Sequence, residues 1–510
     1  MVGTLPIIYV RGFAGDTSGI DQAVDDPFYG LNLGSTHVRV GGRGDPVFYQ
    51  FESPLLRLIT DHQYRLLVEG GQEGYLDSQA EGTVEQASLW IHRFYDASAS
   101  TWSAEPVDFS VESAAKDLLR FVEKVLSKTG APRVHLVAHS MGGLISRSMI
   151  QRTIPETYSA QRLGAQQRYL AAHFVDRLFT YGTPHGGIEF DVGFGLFEKV
   201  RDDFGLGGGD IFGPQRMYEY LTPADSRESQ VPEKWDARVM PNDENFPLER
   251  VFCVVGTNAR DYPAAHGLSS KVVGPKSDGL VQIQNALVTG ANHAYVHRSH
   301  SGRYGLVNSE EGYQNLARFL FGDVKVTADL IDLAFPDDEE LTWQAEAQVS
   351  IRGLPILMHE QAAAHYCPIL IEKRRPEDPA DRPVPLVTTY MSSTSSRPEQ
   401  APTMRYTLHI RVLSLRERKR GFFWEDHQEQ TSDFDDTLII DVGFVDRGMA
   451  AWAAWASQIT TPLRSYRPSG NPLTDEDPKE GTWMARVALP PGGRFFGERA
   501  ALSLRVRNVV

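Results

Sequence analysis

The fold is most tightly constrained by one stretch, Arg133–Gly143, which reads RVHLVAHSMGG. Val134, Leu136, Val137 and Ala138 form a short apolar run of strand-forming residues, as a buried parallel strand requires. His139-Ser140-Met141-Gly142-Gly143 follows at once. Leu144–Ile154 then reads as a helix with Leu144, Ile145, Met149 and Ile150 on its apolar side and Pro155 as its stop. A serine held on a sharp turn between strand and helix is a nucleophile elbow. Such a turn needs small residues two positions to either side, because the two backbones nearly touch there. Ala138 and Gly142 meet that need, and Gly143 lets the helix pack closely.

The general elbow is G-x-S-x-G, so Ala138 departs from it by one methyl group. AHSMGG resembles the elbow of small bacterial lipases in the α/β-hydrolase family. The resemblance covers roughly residues 5–322 and implies an α/β fold: a doubly wound, mostly parallel sheet with a cap or lid insertion. It also implies Ser140 as the nucleophile of a Ser-His-Asp triad.

The chain in order agrees with that expectation. Pro6–Val10 (PIIYV) is a compact strand, and Arg11-Gly12-Phe13-Ala14-Gly15 follows it. This stretch is similar to the His-Gly-type turn after the first long strand of α/β-hydrolases, with Arg11 where histidine is common. The resemblance makes the main-chain N–H groups of Phe13 and Met141 the two oxyanion-hole donors. Residues 16–54 read as an insertion, with His37–Val40 and Val47–Phe51 as a hairpin around Gly41–Asp45. Leu55–Val68 reads as a helix, Leu89–Tyr95 as a strand and Asp96–Pro106 as a loop. Ser110–Thr129 is the clearest helix: Val111, Ala115, Leu118, Val122, Val125 and Leu126 share a face, Ser110 caps it and Gly130 ends it. Alternation of strand and helix argues for a parallel sheet covered on both faces.

Asp176–Tyr181 is a further strand leading into Gly182-Thr183-Pro184-His185, a turn also similar to that of lipases. His185 is expected to line the cleft or brace a loop. From 188 to about 250 the sheet pattern stops. Gly205-Leu206-Gly207-Gly208-Gly209 and five phenylalanines (Phe190, Phe194, Phe197, Phe204, Phe212) suit a cap or lid over an apolar substrate. Val251–Val255 restarts the sheet, and Lys276-Ser277-Asp278-Gly279-Leu280-Val281 resembles the loop that carries the catalytic acid. Asp278 is the candidate, with Asp261 as competitor. The base lies among His293, His297 and His300. Asn292–Val296 reads as the last strand, and His300-Ser301-Gly302 is similar to the His-x-Gly that follows it in bacterial lipases, so His300 leads and His297 is second. The resulting order Ser…Asp…His is that of the family.

Beyond Gly322-Asp323 the pattern changes. Lys325–Leu333, Trp343–Ile351, Pro368–Glu372, Met404–Leu413, Thr437–Phe444, Thr482–Ala488 and Ala501–Val509 read as separate strands, many alternating, divided by polar loops. They predict an all-β, sandwich-like domain. The expected division is therefore a catalytic domain over 1–323 and a β domain over 324–510.

At 510 residues the chain exceeds one ordinary core. Its 51 lysines and arginines against 66 aspartates and glutamates give a net charge of −15. That field repels nucleic acid and anionic lipid surfaces but not an uncharged ester. Cys253 and Cys367 lie in apolar runs and read as buried reduced thiols. No leader and no bilayer-length apolar segment is apparent, so a cytoplasmic location is expected; leaderless export or prior processing gives the same sequence. The expected activity is hydrolysis of carboxylic esters with apolar acyl groups, without metal or organic cofactor. The alternatives are a thioesterase, amidase or lipid deacylase using the same triad, or a non-catalytic scaffold. The β domain is the expected attachment point for a surface or protein partner.

Overall fold

The computed structural model describes residues 4–12, 35–40, 46–51, 54–67, 71–92, 94, 110–158, 170–188, 211–241, 246–261, 273–302, 305–335, 341–372, 383–392, 403–418, 427–445, 448–463, 465–468, 470–478 and 481–509. Two compact units emerge: Met1–His293 with His297–Leu316, and Ala294–Val296 with Ala317–Val510.

The first unit is built on a seven-stranded sheet. Its strands are β1 (Ile7–Val10), β4 (Arg65–Leu66), β5 (Ser88–His92), β6 (Val134–His139), β7 (Val175–Tyr181), β8 (Val251–Gly256) and β9 (Asn292–Val296). They are ordered β4-β5-β1-β6-β7-β8-β9. Pairing is parallel from β4 through β8, with Ile8 of β1 opposite both Trp90 and Leu136. β1, β5 and β8 are buried along their whole length, which is why β1 and β8 read as unbroken apolar runs rather than alternating ones. The insertion after β1 contains the expected hairpin, β2 (Ser35–Val40) paired antiparallel with β3 (Pro46–Phe51).

Among the helices, α1 is Pro54–His62, α2 is Gln72–Ser78 and α3 is Val111–Thr129. In α3, Ser110 Oγ accepts from the Ser113 N–H at 3.1 Å and the Gly130 N–H closes the last turn on the Leu126 carbonyl at 2.9 Å. Its Ala115, Leu118, Val122 and Val125 are buried in the sheet-facing core. α1 corrects the sequence reading, which carries the helix to Val68. It stops at His62, Gln63 takes φ 57°, and Arg65 and Leu66 pair with Ser88 and Leu89. Buried Tyr64, whose hydroxyl donates to the Leu5 carbonyl at 2.8 Å, turns the chain into the sheet edge. Tertiary pairing outweighs helix propensity here.

Pro155 is a second correction. α4 (Met141–Ser148) runs into a π turn, Met149–Thr153, and then a helical turn, Ile154–Thr157, so the helix passes the proline. Proline lacks the N–H that an ordinary turn would use, and the widened turn just before it absorbs that loss.

The remaining helices are α5 (Pro214–Leu221) and α6 (Glu310–Phe321). α5 lies in the expected cap region. It is fixed to the helix after the serine: Ser148 Oγ donates to the Tyr220 carbonyl at 2.6 Å and Arg152 to the Glu219 carbonyl at 2.9 Å. Met217, Tyr220 and Leu221 join the buried core. This part of the insertion is therefore a packed layer. Phe190, Phe194, Phe197, Phe204 and the glycine run at 205–209 lie outside the described residues.

The second unit is all β. One sheet has the order β14 (Val384–Met391), β10 (Val324–Ile331), β19 (Ala501–Asn508), β18 (Thr482–Ala488). The other runs β12 (Leu357–Gln361), β11 (Leu341–Ile351), β15 (Met404–Arg418), β16 (His427–Val445), β17 (Gly448–Trp455), with β13 (Ile369–Ile371) also on β11. All described pairs in both sheets are antiparallel. β10 alternates strictly between buried and half-buried residues, and Leu330, Leu502 and Leu504 share one core with Trp343, Leu408 and Leu438 of the other sheet. This is the sandwich-like domain the alternation predicts. Three strands escape the sequence reading. β12 buries polar His359 and Gln361. β17 is alanine-rich, and β14 contains Pro385, tolerated because it sits at a register shift on the last strand of its sheet. No helix among the described residues is long and apolar enough to cross a membrane.

Buried histidines give the first unit a pH-dependent stability. Burial pushes His92 and His135 down to about 4, with smaller effects from the charges around them. An unfolded imidazole takes a proton near pH ~6.5, so between that pH and about 4 the unfolded chain holds more protons than the folded one. Stability is therefore full above pH ~6.5 and is lost as pH falls, at up to about 1.4 kcal/mol per pH unit for each histidine. Urea midpoints at pH 7, 6 and 5 are expected to fall progressively; a flat series contradicts this account.

Candidate active site

Ser140 stands between β6 and α4 with φ 52° and ψ −127°, a backbone conformation that L-residues rarely adopt. Such a residue costs on the order of 1–3 kcal/mol and persists only where its surroundings fix it. Two main-chain bonds do so here: the Ser140 N–H donates to the Tyr181 carbonyl at 2.9 Å, and the Gly143 N–H to the Ser140 carbonyl at 3.0 Å. The reading of Gly142 as a required small residue has a direct geometric basis. A Cβ there would sit 2.3 Å from the Val10 carbonyl oxygen and 2.5 Å from that of Arg11. Both obstacles are backbone, so Gly142→Ala must displace the end of β1 from the turn. The expected cost is about 1–3 kcal/mol or more of stability, with loss of ester turnover. A thermal melt and an ester assay on the same preparation check it.

The His300 loop reaches the serine from 160 residues away in sequence. His300 Nε2 lies 2.9 Å from Ser140 Oγ, and its Nδ1 lies 2.8 Å from Asp278 Oδ2. A carboxylate only accepts, so Nδ1 carries the proton and Nε2 is left to accept from the serine hydroxyl. Asp278 is itself held: its Oδ1 accepts the N–H of Leu280 at 3.1 Å and of Val281 at 2.8 Å. The His300 N–H donates to the Asp278 carbonyl at 2.8 Å, binding the two loops together. Asp278 and His300 are almost fully buried, whereas Ser140 is half-buried. The arrangement gives a proton path from a reachable hydroxyl to a buried imidazole–carboxylate pair.

Sequence reading missed Gly182. It has φ 51°, and a side chain would bring Cβ to 2.9 Å from Asp278 Oδ2 and 3.1 Å from His300 Nδ1. A glycine directly after a core strand, opening the GTPH turn, is the signal that pointed to it. It missed His139 as well, whose Nε2–H donates to the His300 carbonyl at 3.0 Å. Burial first, then the nearby His300, pushes His139 down to about 3, so it braces that loop as a neutral ring.

The other candidates stand elsewhere. Asp261 caps its own turn with Asn258, which donates to it at 2.7 Å, and is exposed. His297 is exposed, with Nδ1 3.2 Å from Thr257 Oγ1. His293 Nδ1 faces the Ala291 carbonyl at 3.2 Å. His185 is fully buried; Arg147 lies 3.4 Å from its Nδ1, so Nε2 carries the proton toward Thr180 Oγ1 at 3.2 Å. Burial, and then Arg147, hold His185 well below the ordinary imidazole range. It braces the turn that the sequence suggested. Met141 opens α4, so its N–H is among those at a helix start that have no acceptor within the helix. Phe13, the other expected donor, lies outside the described residues; Gly12 before it rests against His139 and Ser140. No cluster of metal-ligating side chains occurs among the described residues.

Residues 74–186, which contain the serine turn, match the family model of class 2 lipases. Two curated relatives, both named triacylglycerol lipase, come from Pseudarthrobacter phenanthrenivorans and Burkholderia plantarii. Each is 34% identical over 107 residues, which is 21% of this chain and 27% and 24% of their respective lengths. The chain thus spans about a quarter of the relatives it matches. Among solved structures, the mature Bacillus licheniformis lipase BlEst2 is similar at 15% identity and a TM-score of 0.31, over 63% of this chain and 92% of that one. Residues 74–186 thus match the class 2 lipase family, and the parallel seven-stranded sheet and strained serine turn around them form an α/β-hydrolase fold.

Proposed function

We propose that this protein hydrolyses carboxylic esters of apolar acyl groups, acylglycerols among them, through a covalent acyl-enzyme. The observation that carries the reading is the continuous relay from Ser140 Oγ through His300 to Asp278, with steps of 2.9 and 2.8 Å. His300 Nε2 takes the proton of Ser140 as Oγ forms a bond to the ester carbonyl carbon. The carbonyl electron pair moves to oxygen, which main-chain N–H donors receive, that of Met141 at the start of α4 among them, each worth about 10²–10³-fold in rate. Collapse of the tetrahedral species breaks the bond to the alcohol, which leaves with the proton from His300. Water then repeats the sequence on the acyl-serine and releases the acid, returning Ser140 to its starting state. Asp278 fixes the imidazole's tautomer and stabilises its charged form throughout.

The names of the two relatives support an acylglycerol as substrate. All three reacting side chains belong to the first unit. That leaves the β unit for attachment to a surface or a protein partner. Hydrolysis of p-nitrophenyl esters from acetate to palmitate tests the activity, together with labelling by a fluorophosphonate probe. Turnover and labelling of Ser140 are expected, with preference for the longer chains. A protein that neither turns over any ester nor takes the label is a scaffold, and the proposal fails.

A further inference from the structure

At the opposite end of the sheet from the serine turn, the starts of β6, β7 and β8 gather Arg133, His135, Asp176, Arg177 and Arg250 within the first unit. Asp176 is the one acid they share. Its carboxylate lies 2.9 Å from Arg133 Nε, 3.6 Å from His135 Nδ1, 3.6 Å from Arg177 Nε and 3.8 Å from Arg250 Nη1. One carboxylate has two oxygens, whereas each guanidinium presents five donors in a planar fork. Arg133 and Arg250 alone outnumber the one aspartate they share, a local excess of one positive charge in a chain whose net charge is −15.

The donors show the same imbalance. Among the described residues, Arg133 Nε, His135 Nδ1 and Arg250 Nη1 are buried atoms without a hydrogen-bond partner, and His135 is only 5% exposed. The Arg133 nitrogen is within ion-pair distance of Asp176 but off the hydrogen-bonding axis. A buried donor without an acceptor costs about 1–3 kcal/mol, so two guanidinium donors beside an unpartnered imidazole nitrogen are a poor purely structural solution. The side chains of Arg133 and Arg250 remain 36% and 33% exposed, which gives a small anion a way in from solvent.

We propose that this cluster is a binding site for a phosphoryl oxyanion, presented by inorganic phosphate or by a phosphate headgroup. A tetrahedral dianion supplies the acceptors that the lone carboxylate lacks, neutralises the excess charge and suits guanidinium forks, which bind phosphate oxygens in pairs. Asp176 holds the arginines in place between binding events. The six residues of β6 separate the cluster from Ser140 by about 20 Å along the strand, so the anion does not compete with an ester.

The test uses the full chain exchanged into chloride buffer and titrated calorimetrically with inorganic phosphate at constant ionic strength. Saturable binding at one site is expected. Arg133→Gln with Arg250→Gln is expected to weaken it by about tenfold or more while turnover of a soluble ester stays unchanged. Asp176→Asn, which keeps every arginine and removes the competing carboxylate, is expected to bind phosphate more tightly than the parent chain. Vesicles of phosphatidylcholine with and without phosphatidic acid identify the source. Retention only on phosphatidic acid, displaced by free phosphate, assigns a headgroup; binding of free phosphate without retention assigns the free anion. Absence of binding in both the parent and the Asp176→Asn protein overturns the proposal, as does undiminished binding in the double variant.

Discussion

Ser140→Ala is expected to lower kcat for ester hydrolysis by about 10⁴–10⁶-fold while leaving KM within a few-fold of its starting value. The hydroxyl is the only atom group removed, and no acceptor in the core depends on it: its one described partner is His300 Nε2 at 2.9 Å. The strained turn is held by main-chain bonds from Ser140 and Gly143, which alanine retains. Stability should therefore change little, and a thermal melt beside the rate assay separates chemistry from unfolding. Residual catalysis of up to about 10³–10⁴-fold over water would remain from the oxyanion donors and from binding. Variant activity close to the parent would remove Ser140 from the mechanism.

Asp278→Asn is the second large effect, and its direction follows from which way an amide must turn. Oδ1 of Asp278 accepts two main-chain N–H groups, from Leu280 and Val281, while Oδ2 faces His300 Nδ1 alone. Asparagine keeps its oxygen on the side with two donors and presents its NH₂ to the histidine. His300 Nδ1 must then become the acceptor, so the proton moves to Nε2 and the ring no longer accepts from Ser140. The expected loss in kcat is about 10⁴-fold, with the fold and KM preserved. The double variant Ser140→Ala with Asp278→Asn should be no slower than Ser140→Ala alone, because the residues act as one unit. A multiplicative loss would place Asp278 outside the relay.

These predictions rest on a site that was legible in the sequence to different depths. The elbow was legible locally: its strand, its small flanks and the start of its helix all lie within the eleven residues Arg133–Gly143. The candidate acid and base were legible less fully, as an order along the chain and as resemblances of their loops. Around ANHAYVHRSH the end of the strand and the His-x-Gly resemblance rank His300 first, but local pattern does not show what any of the three imidazoles meets. What distinguishes them is where the loop after β9 folds back, with the His300 N–H on the Asp278 carbonyl and its carbonyl on His139. Gly182 and His139 escaped notice for the same reason, since each matters through a neighbour more than a hundred residues away.

The fold divides along the same line. Periodicity alone fixed α3, whose cap, apolar face and stop lie within one stretch, and the strands β1, β6 and β8, which are buried on both sides. It also separated the alternating strands of the C-terminal unit from the unbroken ones before them. Tertiary pairing decided the end of α1, where Arg65 and Leu66 join β5 and the helix has to stop. It decided the proline-bearing β14 and the alanine-rich β17, which are strands only because a neighbour supplies their hydrogen bonds. A helix completes its main-chain bonding within itself, so its sequence can announce it. A strand's bonding, like a catalytic relay, is completed by residues far along the chain, and only the folded structure brings those together.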